Sequence, residues 1–204
     1  MPCSFEHESL LATKGILSVA GIDEAGRGPL AGPVVAAAVV LPRTFDTRGL
    51  DDSKKIPPGR RLEIFNRLTR APDVVWAVAV RGPAEIDRLN ILRATHEAMR
   101  EAFLRLKPKA AHALIDGLPV PDFPVPQTAL VGGDRTSLTI AAASIIAKVT
   151  RDAEMDRLDR LYPEYDFAKH KGYPTPHHLA RLRTHGPCPV HRRSYAPVAQ
   201  AERD

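Results

Sequence analysis

Cysteine, long apolar runs and a secretory leader are scarce or missing in this sequence of 204 residues. Its two cysteines, Cys3 and Cys188, exclude a disulfide framework and are typical of a reducing compartment. No uninterrupted apolar run approaches the roughly 20 residues that a membrane-spanning helix needs. Glu6 and Glu8 stand where a secretory signal would have a basic start and an apolar run. We therefore expect a cytoplasmic protein that does not enter a membrane.

Acidic residues are also missing between Phe167 and Tyr195, where six lysines and arginines and five histidines occur. A surface of one charge sign is typical of a docking patch for nucleic acid, because phosphate contacts contribute most of the affinity. The alternative is an ordinary solvated face, and charge alone does not separate the two. With no paired cysteines and no regular ligand spacing, the histidines are expected to lie on the surface or face phosphate rather than bind zinc. They are His170, His177, His178, His185 and His191.

The hydrophobic pattern predicts an α/β domain with a mixed sheet. Strands are expected at 15–22, 34–41, 74–80, 111–116 and 128–131. Helices are expected after Pro57-Pro58, as one long helix from Pro83 until Pro108, from Leu138 to Leu161, and between Thr175 and Gly186. The first two strands should form an antiparallel hairpin, because the link between them is too short and glycine-rich to contain a helix.

That link is the glycine loop, Gly26-Arg-Gly28-Pro-Leu-Ala-Gly32. Its spacing misses the dinucleotide-binding pattern by one residue, and a strand rather than a helix follows it. A dinucleotide site is therefore excluded. Glycines still permit a ligand to approach the backbone closely, although an ordinary tight hairpin is the simpler explanation of the loop by itself.

Acidic residues stand at the ends of three predicted strands. Asp23 and Glu24 follow the first, Asp116 ends the fourth, and Asp134 comes shortly after the fifth. If the first and fourth strands are parallel neighbours, Asp23 and Asp116 emerge at the same sheet edge, where open α/β sheets place their ligands. Each acid alone is better explained as a turn or cap residue. Together they predict a site for Mg²⁺ or Mn²⁺, which prefer carboxylate oxygens.

A carboxylate cluster combined with a basic surface favours cleavage of nucleic acid. Two divalent ions about 4 Å apart can activate a water molecule and stabilise the leaving oxygen of a phosphodiester. Glycosidases also use paired acids, but they need one carboxyl group with a raised pKa and no basic docking surface.

A series of ordered blocks between Gly21 and Pro197 resembles ribonuclease HII, the type 2 ribonuclease H family. The blocks are GIDEAGRGPLAGPVVAAAV, DDSKK, NILRATHEAM, LIDG, GGD, SLTIAAASIIAKVTRD, YPEYDFAKHKGYPT and HRRSYAP. The resemblance implies a ribonuclease H-like fold: a five-stranded mixed sheet flanked by helices, plus a small C-terminal helical region. It also implies hydrolysis of the RNA strand of RNA-DNA hybrids and incision 5′ of ribonucleotides embedded in duplex DNA, leaving 3′-hydroxyl and 5′-phosphate ends.

The resemblance implies roles for individual residues as well. The catalytic, metal-binding acids would be Asp23, Glu24, Asp116 and Asp134. Backbone groups of Gly26, Arg27 and Gly28 would recognise the 2′-hydroxyl group, and Tyr173 would pack against the neighbouring deoxyribose. Further phosphate contacts are expected from Lys54, Lys148, Arg192 and Arg193.

Two features of the sequence depart from the family pattern or leave an alternative open. Relatives usually carry lysine where Gly132 stands, and a different pair where Arg135-Thr136 follows Asp134. Asp152 is the other candidate for the fourth acid, although a helical salt bridge to a nearby arginine is the expected role.

The expected organisation is an N-terminal extension at 1–14, a catalytic domain at 15–162, a basic substrate-binding region at 163–197 and a disordered tail at 198–204. A monomer is expected to bind an RNA-DNA hybrid or a DNA duplex that contains ribonucleotides. The alternative is a non-catalytic module of the same fold that binds hybrids. It would require a defective acid set, and all four acids are present.

Overall fold

The computed structural model describes residues 3–203. Five strands within this range form one sheet: β1 (Val19–Ala25), β2 (Val34–Val40), β3 (Val75–Arg81), β4 (His112–Asp116) and β5 (Gln127–Leu130). Their order across the sheet is β3-β2-β1-β4-β5. Strand β2 is antiparallel to β1 and β3, whereas β4 is parallel to β1 and β5. The predicted five-stranded mixed sheet is confirmed.

Helices cover both faces of the sheet: α1 (Glu6–Ala12), α2 (Pro58–Arg70), α3 (Pro83–Leu89), α4 (Ile91–Leu104), α5 (Leu138–Leu161), α6 (Phe167–His170), α7 (Pro176–His185) and α8 (Ala196–Ala201). Helix α4 packs its apolar side on one face, and α5 and α2 pack on the other. Over the described range, no helix combines the length and apolar character needed to cross a membrane.

The predicted long helix from Pro83 to Pro108 is wrong, because the chain breaks at Asn90 into α3 and α4. Asn90 adopts a φ of 68°, and its side-chain oxygen accepts a hydrogen bond from the N–H of Arg93 at 3.1 Å. This backbone conformation cannot continue a helix, and the side chain of Asn90 caps the next one, so the residue ends α3 and begins α4.

The first strand also begins later than predicted, at Val19 rather than residue 15. The preceding residues form the turn after α1, where Gly15 has a φ of 79°. The strand instead continues to Ala25, so Asp23 and Glu24 lie inside it. Their side chains are therefore held by the pairing of β1 with its neighbours rather than carried on a loop.

Both terminal segments of the chain contain a helix. Helix α8 includes residues 198–201 of the expected disordered tail, and its Val198 is fully buried against Leu30 and Leu182. The expectation of disorder is therefore wrong for these residues, while Asp204 lies outside the described range. The expected N-terminal extension contains α1, which contacts the start of α5.

The close contact between α5 and β1 depends on small residues. A Cβ atom added to Gly21 would lie 2.3 Å from the carbonyl carbon of Thr139, so only glycine permits this approach. The first half of α5 is buried and includes Ala141, Ala142, Ala143 and Ala147. Tight packing thus places α5 directly over the strand that carries Asp23.

Candidate active site

The parallel pairing of β1 and β4 brings the predicted acids to one sheet edge. Ile22 pairs with Ile115, so the residues that follow them, Asp23 and Asp116, are neighbours where the two strands end. Asp134 lies in the 3-10 turn Gly133–Arg135 that follows β5. The N–H of Gly133 donates to Asp116 Oδ1 at 2.7 Å, which ties this turn to the end of β4.

Asp23 and Glu24 point to opposite faces of the sheet, as neighbouring residues in a strand must. Asp23 is only 4% exposed, and the Ser144 hydroxyl on α5 lies near enough to oppose the rise of its pKa. The Ser144 hydroxyl in turn lies 2.9 Å from that of Ser53. Glu24 instead faces a cleft of about 130 Å³ that Asp116 and α4 also line. The acids therefore surround the end of β1 from both sides of the sheet.

Burial and mutual repulsion disfavour the charged forms of these acids. Burial raises the pKa of Asp23 well above its usual range, and Glu24 and Asp116 raise it further. Burial also raises the pKa of Glu24, although the nearby Arg27 opposes the rise. Burial raises the pKa of Asp134 too, with Asp116 as the next contribution. A cation at this edge would relieve the repulsion.

Lys54 faces the same acids. Burial acts to lower its pKa, but the net shift is upward because Asp23, Asp52 and two further carboxylates surround it. Asp52 accepts hydrogen bonds from the N–H of Lys54 at 2.9 Å and from Nε of Arg135 at 3.3 Å. Arg135, which departs from the family pattern, thus links the Lys54 segment to the turn that carries Asp134.

The donor chemistry of this edge fits a hard divalent cation, because four carboxylates from three chain segments meet there. One oxygen of Asp23 accepts the N–H of Glu24 at 2.7 Å, which leaves its second oxygen for a ligand. As the side chains stand, no three His, Cys, Asp or Glu residues among residues 3–203 are arranged to hold one ion together. Sharing an ion therefore requires rotation of some of these side chains.

The glycine loop lies directly beyond the acids on β1. A Cβ atom added to Gly28 would lie 3.6 Å from Cε1 of Tyr173, so the ring faces the glycine across a narrow gap. Tyr173 is 41% exposed. Arg27 is half-exposed and lies with Nη1 3.4 Å from Oε1 of Glu24. The predicted loop and the predicted tyrosine are therefore adjacent to each other and to Glu24.

The predicted phosphate contacts occupy different environments. Arg192 is fully buried, and its guanidinium group donates to carbonyl oxygens, so the prediction that it contacts phosphate is wrong. Lys148 donates to Asp152 at 2.7 Å, and Asp152 also pairs with Arg61. The predicted salt bridge of Asp152 with an arginine exists, but that arginine lies on α2, and the partner along the helix of Asp152 is a lysine. Arg193 is exposed and pairs with Glu202. Of the predicted cations, only Lys54 lies among the acids.

The prediction that the histidines lie on the surface is wrong for three of them, which are buried. These three, His170, His178 and His191, are called the histidine cluster. The Nε2 atoms of His178 and His191 lie 3.1 Å apart. Burial lowers the pKa of His178 to about 4 and that of His191 to about 3. Phe167 packs against the rings of both His178 and His191, and no pattern in the sequence signalled this burial.

The buried charged residues that the sequence analysis did not single out include two that hold segments of the site in place. One is Arg151 on α5, which holds the glycine loop. The other is Glu8 on α1, whose Oε1 accepts hydrogen bonds from Ser137 Oγ at 2.7 Å and from the N–H of Thr139 at 3.3 Å. Glu8 thus fastens the N-terminal segment to the start of α5, immediately after the Asp134 turn. No periodicity in the sequence distinguishes either residue from an exposed helical charge.

Sequence comparisons assign these features to a known family. The sequence model described as Ribonuclease HII matches residues 20–198. Ribonuclease HII of Desulfitobacterium hafniense (strain DSM 10664 / DCB-2) is 53% identical over 193 residues, which are 95% of this chain and 74% of the relative. Ribonuclease HII of Geobacillus thermodenitrificans (strain NG80-2) is 52% identical over 195 residues, which are 96% of this chain and 74% of the relative.

A solved structure agrees with the sequence match. The crystal structure of ribonuclease H2 from Pyrococcus horikoshii OT3 superposes with a TM-score of 0.77 at 30% sequence identity, covering 91% of this chain and 97% of that one. The family model and the two close relatives extend over nearly all of the sheet, the acids and the glycine loop. The chain therefore belongs to the ribonuclease HII family and is a ribonuclease H enzyme.

Proposed function

We propose that this ribonuclease H cuts the RNA strand of RNA-DNA hybrids and incises DNA on the 5′ side of embedded ribonucleotides, leaving 3′-hydroxyl and 5′-phosphate ends. The observation that carries the proposal is the continuity of β1 with the glycine loop. Asp23 and Glu24 lie in the last three residues of the strand, which ends at Ala25, and Gly26, Arg27 and Gly28 follow immediately. The backbone that would recognise the ribose therefore lies beside the carboxylates that would hold the metal ions for cutting its phosphate.

Recognition of the ribose is assigned to the backbone of Gly26, Arg27 and Gly28 and to Tyr173. The 2′-hydroxyl group distinguishes RNA from DNA, and backbone groups can hydrogen-bond it without sequence preference. The Tyr173 ring, next to Gly28, offers an apolar face to the neighbouring deoxyribose. A bulky side chain at position 28 would fill the gap between them.

Cleavage is assigned to Asp23, Glu24, Asp116 and Asp134, which would hold two Mg²⁺ or Mn²⁺ ions once substrate is present. When bound, such ions supply an activated water molecule and stabilise the leaving oxygen. Asp23 and Asp116 orient the site, because strand pairing and backbone N–H groups fix their positions. Lys54 limits the repulsion among the acids and can contact a phosphate.

The nucleic acid would extend from this edge across the C-terminal region. Exposed cations there include Lys169, Arg183 and Arg193, and each can contact a phosphate irrespective of sequence. We place the enzyme in the cytoplasm and infer that it acts as a monomer. No observation favours the non-catalytic alternative, because all four acids are present at the edge.

A nicking assay tests this function. The substrates are a DNA duplex with one central ribonucleotide, the same duplex without it, and a continuous RNA-DNA hybrid, each with Mg²⁺, with Mn²⁺ or with excess EDTA. We expect one cut on the 5′ side of the ribonucleotide, cleavage of the hybrid, and none of either in EDTA. Equal cutting of the all-DNA duplex, or cutting in excess chelator, would contradict the proposal.

A further inference from the structure

The glycine loop rests on Arg151, which reaches it from α5. Its Nε donates to the carbonyl oxygen of Pro33 at 2.9 Å, and its Nη2 donates to that of Ala31 at 3.2 Å. Arg151 is 1% exposed, and its Nη1 has no hydrogen-bond partner. Its guanidinium carbon lies 6.0 Å from the centroid of the Tyr173 ring. One buried cation therefore contacts both the loop and the tyrosine that faces it.

A second buried cation, Arg192, holds the other half of the loop. Its guanidinium group donates to the carbonyl oxygens of Gly26 at 2.6 Å, Arg27 at 3.0 Å and Gly32 at 3.0 Å. Arg192 is 0% exposed. The two arginines together thus hold five carbonyl groups between Gly26 and Pro33.

These contacts also fix where the loop's N–H groups point. In a planar trans peptide, the carbonyl oxygen of one residue and the N–H of the next point in opposite directions. Because Arg192 holds the carbonyl groups of Gly26 and Arg27 inward, the N–H groups of Arg27 and Gly28 must point away from it. Those are two of the backbone donors assigned to ribose recognition.

The glycines of the loop divide into two groups by what they contact. A Cβ atom added to Gly26 would lie 2.1 Å from Arg151 Nε, and one added to Gly32 would lie 2.3 Å from Met155 Sδ. Both residues also have positive φ values, 103° and 81°. Gly26 and Gly32 thus let the loop lie against its support, whereas Gly28 faces Tyr173.

The loop is tied to the tyrosine segment as well. The N–H of Leu30 donates to the carbonyl oxygen of Gly172 at 2.8 Å, one residue before Tyr173. The hydrogen-bond acceptors of Arg151 and Arg192 are neutral carbonyl and hydroxyl oxygens. Two buried positive charges therefore lie beneath the loop without a carboxylate among these acceptors, in a protein whose substrate is a polyanion.

We propose that Arg151 and Arg192 are positioning residues for ribonucleotide recognition. They hold the loop backbone in place opposite Tyr173, and they do not touch the substrate. This inference rests on the proposed function, because it assigns a cause to the specificity of that site.

Arg192→Lys and Arg151→Lys test the inference, with Arg67→Lys as the matched control. Lysine keeps the charge but cannot bond several separated carbonyl groups at once. Arg67 also donates to backbone carbonyl oxygens, those of Asp46 and Arg48, but on a loop outside the site. For each variant, kcat and KM are measured on the single-ribonucleotide duplex and on the continuous hybrid, with the salt dependence of binding.

We expect the ratio of kcat/KM on the embedded ribonucleotide to that on the hybrid to fall at least about tenfold in Arg192→Lys, and less in Arg151→Lys. The ratio should not change in Arg67→Lys. The salt dependence should stay that of the wild type, because no phosphate contact is removed. An unchanged ratio with equal losses on both substrates, or a salt slope reduced by about one, would overturn the inference.

Amide hydrogen exchange separates failure of this inference from failure of the proposed function. If the wild type does not cut at ribonucleotides, the proposed function fails, and the hold of the two arginines on the loop is then judged by exchange of the hydrogen-bonded amides of Leu30 and Gly32 alone. Arg192→Lys should speed that exchange at least about tenfold, while Arg67→Lys should leave it unchanged. Exchange as slow in Arg192→Lys as in the wild type would overturn the inference that Arg192 holds the glycine loop in place.

Discussion

Two buried polar regions of this protein, the carboxylate edge and the histidine cluster, show opposite electrostatics. At the edge, Asp23 and Glu24 have raised pKa values because burial and neighbouring acids disfavour their charges. In the cluster, burial lowers the pKa values of His178 and His191, so both rings are neutral at pH 7. The carboxylates of the first region need a cation to balance their charges, whereas the imidazole rings of the second already have hydrogen-bond partners within the protein.

The hydrogen bonds of the histidine cluster form a consistent chain of neutral rings. Nδ1 of His191 accepts the N–H of Cys188 at 3.1 Å, which assigns the ring proton of His191 to Nε2. That proton is donated to Nε2 of His178 at 3.1 Å, and Nδ1 of His178 then donates to the carbonyl oxygen of Tyr173 at 2.9 Å. The chain is complete without a metal or an added proton.

The contrast separates a structural polar core from a functional one. Buried polar groups that satisfy each other stabilise a single conformation, and here they position the segment that carries Tyr173. Buried like charges destabilise the fold and are retained where a ligand compensates them. Substitutions should therefore have different consequences in the two regions.

The largest expected effect is on catalysis by Asp116→Asn. Removing one carboxylate charge from the edge should lower kcat by about a thousandfold, because the variant has one anionic ligand fewer to hold the divalent cations. Duplex binding, measured by fluorescence anisotropy, should stay within about threefold, since the basic surface is intact. Turnover at the wild-type rate would contradict the assignment of Asp116.

A second prediction concerns the stability of Asp23→Asn without metal. The raised pKa of Asp23 means that the folded protein binds its proton more tightly than the unfolded chain, so stability falls as pH rises above the ordinary carboxyl pKa. Asparagine cannot ionise, and we expect the variant to be more stable than the wild type by about 2 kcal/mol at pH 7 in EDTA. Urea unfolding measures the difference, and a less stable variant would show that Asp23 is not repelled there.

The histidine cluster should show the reverse pH dependence. Because the folded pKa values of His178 and His191 lie near 4 and 3, the unfolded chain binds protons first as pH falls below about 6.5. Stability should then decrease between about pH 6.5 and pH 4, by about 3 kcal/mol for each ring, because one unit of pKa difference is worth about 1.4 kcal/mol. Thermal unfolding of His178→Gln should show a shallower decline, and the exposed control His185→Gln should follow the wild type. Equal slopes in all three proteins would exclude the cluster as the cause.

Tyr173 connects the two regions, since its carbonyl oxygen accepts from the histidine cluster while its ring faces Gly28. Tyr173→Ala removes only the ring. We expect its preference for an embedded ribonucleotide over a long hybrid to fall about tenfold, with folding unchanged. Rates on both substrates measure the ratio, which would stay constant if the ring has no part in recognition.

The smallest effect is expected for Asp152→Asn. Asp152 pairs with Lys148 and Arg61 and lies outside the carboxylate edge. Activity should remain within about threefold of the wild type and stability should fall by about 1 kcal/mol. A loss of activity comparable to that of Asp116→Asn would move Asp152 into the catalytic set.

The sheet and its acids could be predicted because they depend on local pattern and on simple geometry. Short apolar runs identify the strands, and parallel neighbours bring Asp23 and Asp116 to one edge. Arg192 could not be placed, because its burial depends on Gly32, a residue 160 positions away. The same holds for His178 and His191, since composition reports charge but not which charges the fold covers.

The most direct test of the account is Mn²⁺ binding to the carboxylate edge, followed by electron paramagnetic resonance on the protein without nucleic acid. We predict that the wild type and Asp152→Asn bind Mn²⁺ with the same affinity, while Asp116→Asn binds it at least about tenfold more weakly. Equal affinity in Asp116→Asn and the wild type would contradict the claim that these acids form a metal site.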